Sequence, residues 1–199
     1  MGCAFVFARG GEIFSTAMSH VHEAISSLGH AMTHDLMEMT MSTHTPRIND
    51  AFKLAPETIK GLLAASNALK ASGLEPALLE LVKIRASQIN GCAFCLHMHV
   101  TDARKMGETE MRLHLLNAWR DSSLYTDRER AALAWTEALT RVADTGAPDE
   151  DYALVEANFT EAEQVQLSLA IGIINLWNRL QVGFRAAHPP VAHIQGAAA

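Results

Sequence analysis

The stretch Thr160–Phe184, TEAEQVQLSLAIGIINLWNRLQVGF, decides the fold class. Thr160-Glu-Ala-Glu163 fits the capping box, in which a hydroxyl and a carboxylate three residues later each satisfy a backbone N–H of the other. Beyond it, Val165, Leu167, Leu169, Ile171, Ile173, Ile174, Leu176, Trp177, Leu180 and Phe184 cover nearly every face of a helix. A helix apolar all round must be surrounded, and a domain of about 150 residues cannot easily enclose it alone. The expectation is a helical domain that associates as a homo-oligomer.

The same kind of signal repeats upstream. Pro56 and Pro76 suit the first turn of a helix, where the missing N–H costs nothing. Thr126-Asp-Arg-Glu129 is a second capping box. Asn90-Gly91 and Gly107 mark stops, and Gly146-Ala-Pro148 turns the chain into its next helix. Helices are predicted near 50–71, 76–90, 92–106, 109–119, 127–143, 149–156 and 161–185. No alternating run long enough for a half-buried strand interrupts them. The predicted class is all-α, a compact bundle of six or seven helices.

Composition narrows the function. The 199 residues are 49% hydrophobic and 19% charged, enough for one substantial core. A net charge of −6 and a pI near 5.9 argue against nucleic acid or an anionic membrane as main partner, since both select basic surfaces. The longest apolar run, Leu167–Leu176, is broken by Ser168 and Asn175 and is too short to span a bilayer. Only Arg9 precedes the weak apolar run at the N-terminus, so no secretory signal is expected and the cytoplasm is the default location.

Residues 1–44 differ from the rest. This segment carries His20, His22, His30, His34 and His44 and six of the nine methionines, with no clean apolar period. It reads either as a metal-binding arm or as a poorly structured extension ahead of a domain whose leader begins at Met41, and the second is favoured. The Pro- and Ala-rich segment 186–199 is expected to be disordered, leaving 45–185 as the domain.

The chemistry concentrates at Ser87–His99, SQINGCAFCLHMH. Gly91 ends one helix and Cys92 opens the next. At about 100° per residue, Cys92, Cys95 and His99 fall within about 60° of one another, whereas His97 lies about 140° from Cys92. A thiol in the first helical turn meets the positive end of the helix dipole and free N–H groups, which favour thiolate. A histidine beside it can take the proton and return it to a leaving oxygen. A second sulfur three residues away can capture a sulfenic acid or a mixed disulfide. Three readings of the motif stay open on these residues alone. They are a redox dithiol, a zinc site completed by His97 or His99 with His114 or an N-terminal histidine, and two inert buried thiols.

The longer stretch Glu80–Thr140, ELVKIRASQINGCAFCLHMHVTDARKMGETEMRLHLLNAWRDSSLYTDRERAALAWTEALT, resembles the core of the AhpD-like alkylhydroperoxidases, within the wider carboxymuconolactone decarboxylase superfamily. The likeness runs from about Thr45 to Arg185 and includes INLWNRL in the last helix. The signature is a Glu, a CxxC twelve residues on, and a His four after the second Cys. Glu80, Cys92, Cys95 and His99 stand at that spacing.

The resemblance implies a helical subunit that assembles as a trimer or hexamer. It implies a thiol peroxidase acting in antioxidant defence on an alkyl hydroperoxide or hydrogen peroxide. Cys95 would be the peroxidatic thiol, Cys92 would resolve it and exchange with an external dithiol reductant, and His99 with Glu80 would form the proton relay. The dipole alone would prefer Cys92 as nucleophile; the adjacency of His99 to Cys95 supports the family's order.

Glu80 read by itself is as compatible with an ordinary surface pair to Lys83, worth about 0.2–0.5 kcal/mol. Phe94 stands where some dedicated members carry a His inside the CxxC. No cofactor is expected, since no glycine-rich dinucleotide loop follows a strand. The alternatives are a decarboxylase-type enzyme acting on a small ring acid, although decarboxylating branches lack this dithiol, or a non-catalytic redox or zinc-binding protein.

Overall fold

The computed structural model describes residues 45–189, and within them the chain is helical and turn throughout, with no strand. The segments 1–44 and 190–199 lie outside the described residues; of the expected tail, 186–189 carry no helix. The helices are α1 (Ala51–Leu54), α2 (Pro56–Ala68), α3 (Pro76–Asn90), α4 (Ala93–Lys105), α5 (Glu110–Leu115), α6 (Asp127–Thr140), α7 (Val142–Thr145), α8 (Asp149–Asn158) and α9 (Glu161–Phe184). Short 3-10 turns follow α2 at Leu69–Ala71 and α5 at Leu116–Asp121.

All seven predicted stretches are helical, but three are interrupted, each for a local reason. Ala55 sits before Pro56 at φ −137° and ψ 58°, because the proline ring excludes the helical region for the residue ahead of it; α1 and α2 are therefore separate. Arg141, at φ −110°, parts α6 from α7. Ala118, at φ −115°, spoils the last turns of the 109–119 stretch. Both predicted capping boxes form reciprocally, at Thr126/Glu129 and Thr160/Glu163.

The enclosed helix is α3. It packs against α4, α6 and α9, and Leu78, Leu79, Leu81, Val82, Ile84 and Ala86 are all buried, with Glu80 among them. One apolar cluster joins Leu78, Leu79 and Val82 to Trp135, Val155, Phe159, Leu167 and Ile171. A second joins Leu81 and Ile84 to Leu116, Trp119, Tyr125 and Leu133.

The sequence pointed to Thr160–Phe184 as a helix that needs cover on every face and that one subunit cannot easily enclose alone. Within one subunit α9 buries only one side, through Leu167, Ala170, Ile171, Ile174, Asn175 and Asn178. Its other side leaves Val165, Leu169, Leu176 and Val182 exposed by 45–59%. All-round apolarity of a helix says that every face needs cover, not that its own subunit supplies it.

Candidate active site

Two helix ends build the site. Gly91 closes α3 at φ 65°, in the left-handed region that a side chain would resist, and its N–H reaches back to Gln88 O. The Cys92 N–H then bonds Ser87 O at 3.0 Å, completing a Schellman-type stop. This reversal folds α4 back along α3 and leaves Cys92 as the N-cap of α4. Its Sγ accepts the Cys95 backbone N–H at 3.4 Å, a role usually filled by Ser, Thr or Asp.

The two thiols are free, buried and 2.7 Å apart, Sγ to Sγ. They occupy a small cluster with Ala86 and Ile174, flanked by Phe94 and Trp177. Their electrostatics diverge. The hydrogen bond from the Cys95 thiol brings Cys92 down to about 7 against the burial that opposes it, and the Cys95 N–H and the Asn178 amide help. Cys95 is driven up, first by donating to Cys92, then by burial and by the charge on Cys92. Of the two sulfurs, Cys92 is the one that ionises more readily.

Access runs the other way. A cavity of about 370 Å³ opens onto Cys95, His99, Glu80 and Lys83, and Cys92 is not among its lining residues. One turn beyond Cys95, His99 presents Nδ1 to Glu80 Oε2 at 2.8 Å, and Glu80 Oε1 meets Lys83 Nζ at 2.6 Å. Both Glu80 and His99 are buried. Burial pushes the Glu80 carboxyl up, but the bond to His99 and the charge of Lys83 outweigh it and hold Glu80 below its ordinary value. An ionised carboxylate only accepts, so Nδ1 of His99 donates to Glu80.

The four residues singled out from spacing therefore come together, and the two readings of Glu80 merge. It does pair with Lys83, and it is also the buried partner of His99. His97 points elsewhere, stacked on His188 with ring centroids 5.3 Å apart, and His114 is exposed on α5. Among the described residues no group of three or more His, Cys, Asp or Glu is placed to hold a metal ion.

Sequence reasoning missed the contribution of α9. Asn90 Nδ2 donates to both Asn175 Oδ1 and Asn178 Oδ1 at 2.9 Å, and Asn178 Nδ2 donates to Ser87 Oγ at 3.0 Å. This network ties α9 to the α3–α4 reversal, and the Asn178 amide lowers both thiols. The available signal was the pair Asn175 and Asn178, three apart in an otherwise apolar helix, since buried amides need partners. Among the described residues no buried side-chain N or O lacks one.

Comparison with known proteins agrees with this architecture. Residues 56–138 match the carboxymuconolactone decarboxylase family. The uncharacterized protein YdfG of Bacillus subtilis is 44% identical over 138 residues, which is 68% of this chain and 94% of that protein. A crystal structure of ATU0492 from Agrobacterium tumefaciens, a protein of unknown function named as a candidate antioxidant defence protein AhpD, superposes with a TM-score of 0.71. That protein shares 46% identity, over 74% of this chain and all of its own. An uncharacterized peroxidase-related protein with an alkylhydroperoxidase AhpD core, from Ralstonia eutropha, shares the fold at 17% identity and a TM-score of 0.61, over 78% of this chain and 84% of its own. The chain thus belongs to the carboxymuconolactone decarboxylase family, in its AhpD-like group.

Proposed function

We propose that the protein is a dithiol peroxidase of antioxidant defence, in which Cys95 attacks the peroxide and Cys92 resolves it. The observation that carries this reading is the asymmetry of the sulfur pair. Cys95 faces a cavity shared with His99 and Glu80, while Cys92 waits behind it at 2.7 Å, already favouring the thiolate. A structural pair of thiols needs neither the cavity nor the buried Glu–His couple.

In the cycle, a hydroperoxide ROOH enters beside Cys95, and Nε2 of His99 takes the Cys95 proton. The imidazolium is balanced by Glu80, whose own charge is held by Lys83. The Cys95 thiolate attacks the terminal peroxide oxygen, the O–O bond breaks, and His99 returns the proton to the departing alkoxide, giving ROH and a sulfenic acid. The Cys92 thiolate then attacks the Cys95 sulfur and expels hydroxide, which takes a solvent proton to become water. The products are a Cys92–Cys95 disulfide, ROH and water. An external dithiol restores the pair by thiol–disulfide exchange.

The uncovered stripe of α9 supports a homo-oligomer, trimer or hexamer, with 45–185 as the working domain and 1–44 and 186–199 as appendages. Among the described residues no helix is long and apolar enough to cross a membrane. We place the protein in the cytoplasm, where a reducing partner is at hand, and assign no nucleic-acid partner to so acidic a chain. The decarboxylase alternative is not favoured, since nothing in that chemistry calls for two sulfurs at contact distance. The test is a mass-spectrometric thiol count before and after one equivalent of cumene hydroperoxide. Loss of both thiols as a Cys92–Cys95 disulfide is expected; two unreacted thiols would remove the reading.

A further inference from the structure

Most of the cavity has no part in the chemistry above. A hydrogen peroxide molecule is little larger than water, whose share of liquid volume is about 30 Å³, while the cavity holds about 370 Å³. The remaining wall is mostly apolar, with Phe52, Leu63, Phe94, Met98, Ile173 and Trp177 prominent and Ser66, Asn67 and Gln181 as its uncharged polar members. Phe52, Leu63 and Met98 are each left more than 40% exposed, so this wall presents apolar surface to water that a ligand would cover. Phe52 stacks on Trp177 at 5.8 Å and 16°. The indole N–H of Trp177 donates to Ser66 Oγ at 3.0 Å, which fixes the plane of that ring.

The charges on the lining are not all spent. Lys83 is occupied by Glu80 and Asp102 by Lys105 at 3.0 Å. Lys70, on the 3-10 turn after α2, lines the same cavity, is exposed, and has no acidic partner among the described residues. The entrance thus offers one uncompensated cation beside an apolar slot, in a chain whose net charge is −6.

We infer that the cavity takes an amphipathic organic acid, its apolar body against the Phe52–Trp177 stack and its carboxylate on Lys70. Given the dithiol cycle proposed above, on which this part alone rests, the preferred substrate is the hydroperoxide of such an acid rather than hydrogen peroxide or a neutral alkyl hydroperoxide.

Binding separates the inference from the cycle. Calorimetric titration of the reduced full chain at low ionic strength with phenylbutyrate, phenylbutanol and phenylbutylamine compares one apolar body with three end groups. The acid is expected to bind roughly two- to fivefold tighter than the alcohol, the range of an exposed ion pair, with the amine weakest. Raising the salt shrinks that gap by screening. Lys70→Gln erases the preference for the acid and leaves the alcohol unchanged. Phe52→Ala weakens all three; it lies on α1, which buries no residue, so the variant keeps the fold. Equal affinity for acid and alcohol, an unaltered preference in Lys70→Gln, or no binding of any of the three would overturn the inference. Thiols that ignore cumene hydroperoxide while the acid preference holds would instead overturn the peroxidase reading and leave this one standing.

Discussion

Replacing Glu80 by Gln isolates the charge of the buried carboxylate from its shape. The amide oxygen can still accept from His99 Nδ1, so the ring orientation and tautomer survive, but the imidazolium formed when Cys95 is deprotonated loses its counter-charge. Glu80 and His99 side chains are only 7% and 10% exposed and meet at 2.8 Å. Two unit charges about 4 Å apart at an effective dielectric of about 20 interact by roughly 4 kcal/mol, which sets the ceiling for the loss. Part is returned because the neutral pair no longer has to hold Lys83, which is 20% exposed and turns toward water. General acid–base assistance is commonly worth about 10²–10⁴ in rate, and the two limits together give a fall of about 10² in single-turnover oxidation by a hydroperoxide. The assay is stopped-flow loss of free thiol under excess peroxide, from pH 6 upward. Glu80→Gln within about twofold of the parent across that range would refute the relay.

Further outcomes follow from the same contacts. Glu80 is buried and Glu129 and Glu137 are half-buried, which raises them, but bonds from His99, Arg112 and Trp119 respectively win and hold all three below the ordinary 4.5. The unfolded chain therefore takes up protons first, so the stability they contribute is complete above about pH 4.5 and lost as pH falls through their folded values. Urea midpoints should be level from pH 7 to 5 and drop below 4.5; a flat profile contradicts the pairing. Gly91→Val places a β-branched residue at φ 65° and should cost roughly 1–2 kcal/mol in urea unfolding while slowing disulfide closure; a parental midpoint would mean the reversal is not held as described. Leu169→Glu with Leu176→Glu puts two charges on the uncovered stripe of α9, where covering each half-exposed side chain is worth on the order of 1 kcal/mol. The double variant should sediment as a smaller species than the parent, and identical masses would remove α9 from the interface.

The fold was legible wherever one local interaction sets the geometry. Threonine followed by glutamate three residues on marked the starts of α6 and α9, and Asn90-Gly91 marked the stop that turns α3 into α4. The breaks at Ala55 and Arg141 were passed over, although the proline after Ala55 already restricts it. The four candidate residues, picked out by the spacing of the family signature, lie together because a single glycine turn folds one short stretch on itself. What lay across the fold was not. Asn178 comes from α9 to bond Ser87 and to lower the thiols, and Phe52 and Trp177 meet from opposite ends of the described chain. The resemblance implied Cys95 as nucleophile, with the adjacent His99 in support, without revealing that hydrogen bonding to Cys92 raises the Cys95 thiol. That depends on which sulfur accepts in a pair 2.7 Å apart, a matter of packing rather than spacing.

The sharpest test of the central assignment is trapping of the sulfenic acid with dimedone in the two single variants, followed by peptide mapping. In Cys92→Ser a neutral hydroxyl replaces the ionisable sulfur beside Cys95 and nothing is left to resolve it, so one equivalent of hydroperoxide should give one adduct on Cys95 and no further turnover. In Cys95→Ser, Cys92 keeps no place on the cavity and should give none. An adduct forming on Cys92 as fast as on Cys95 would reverse the roles and contradict the account.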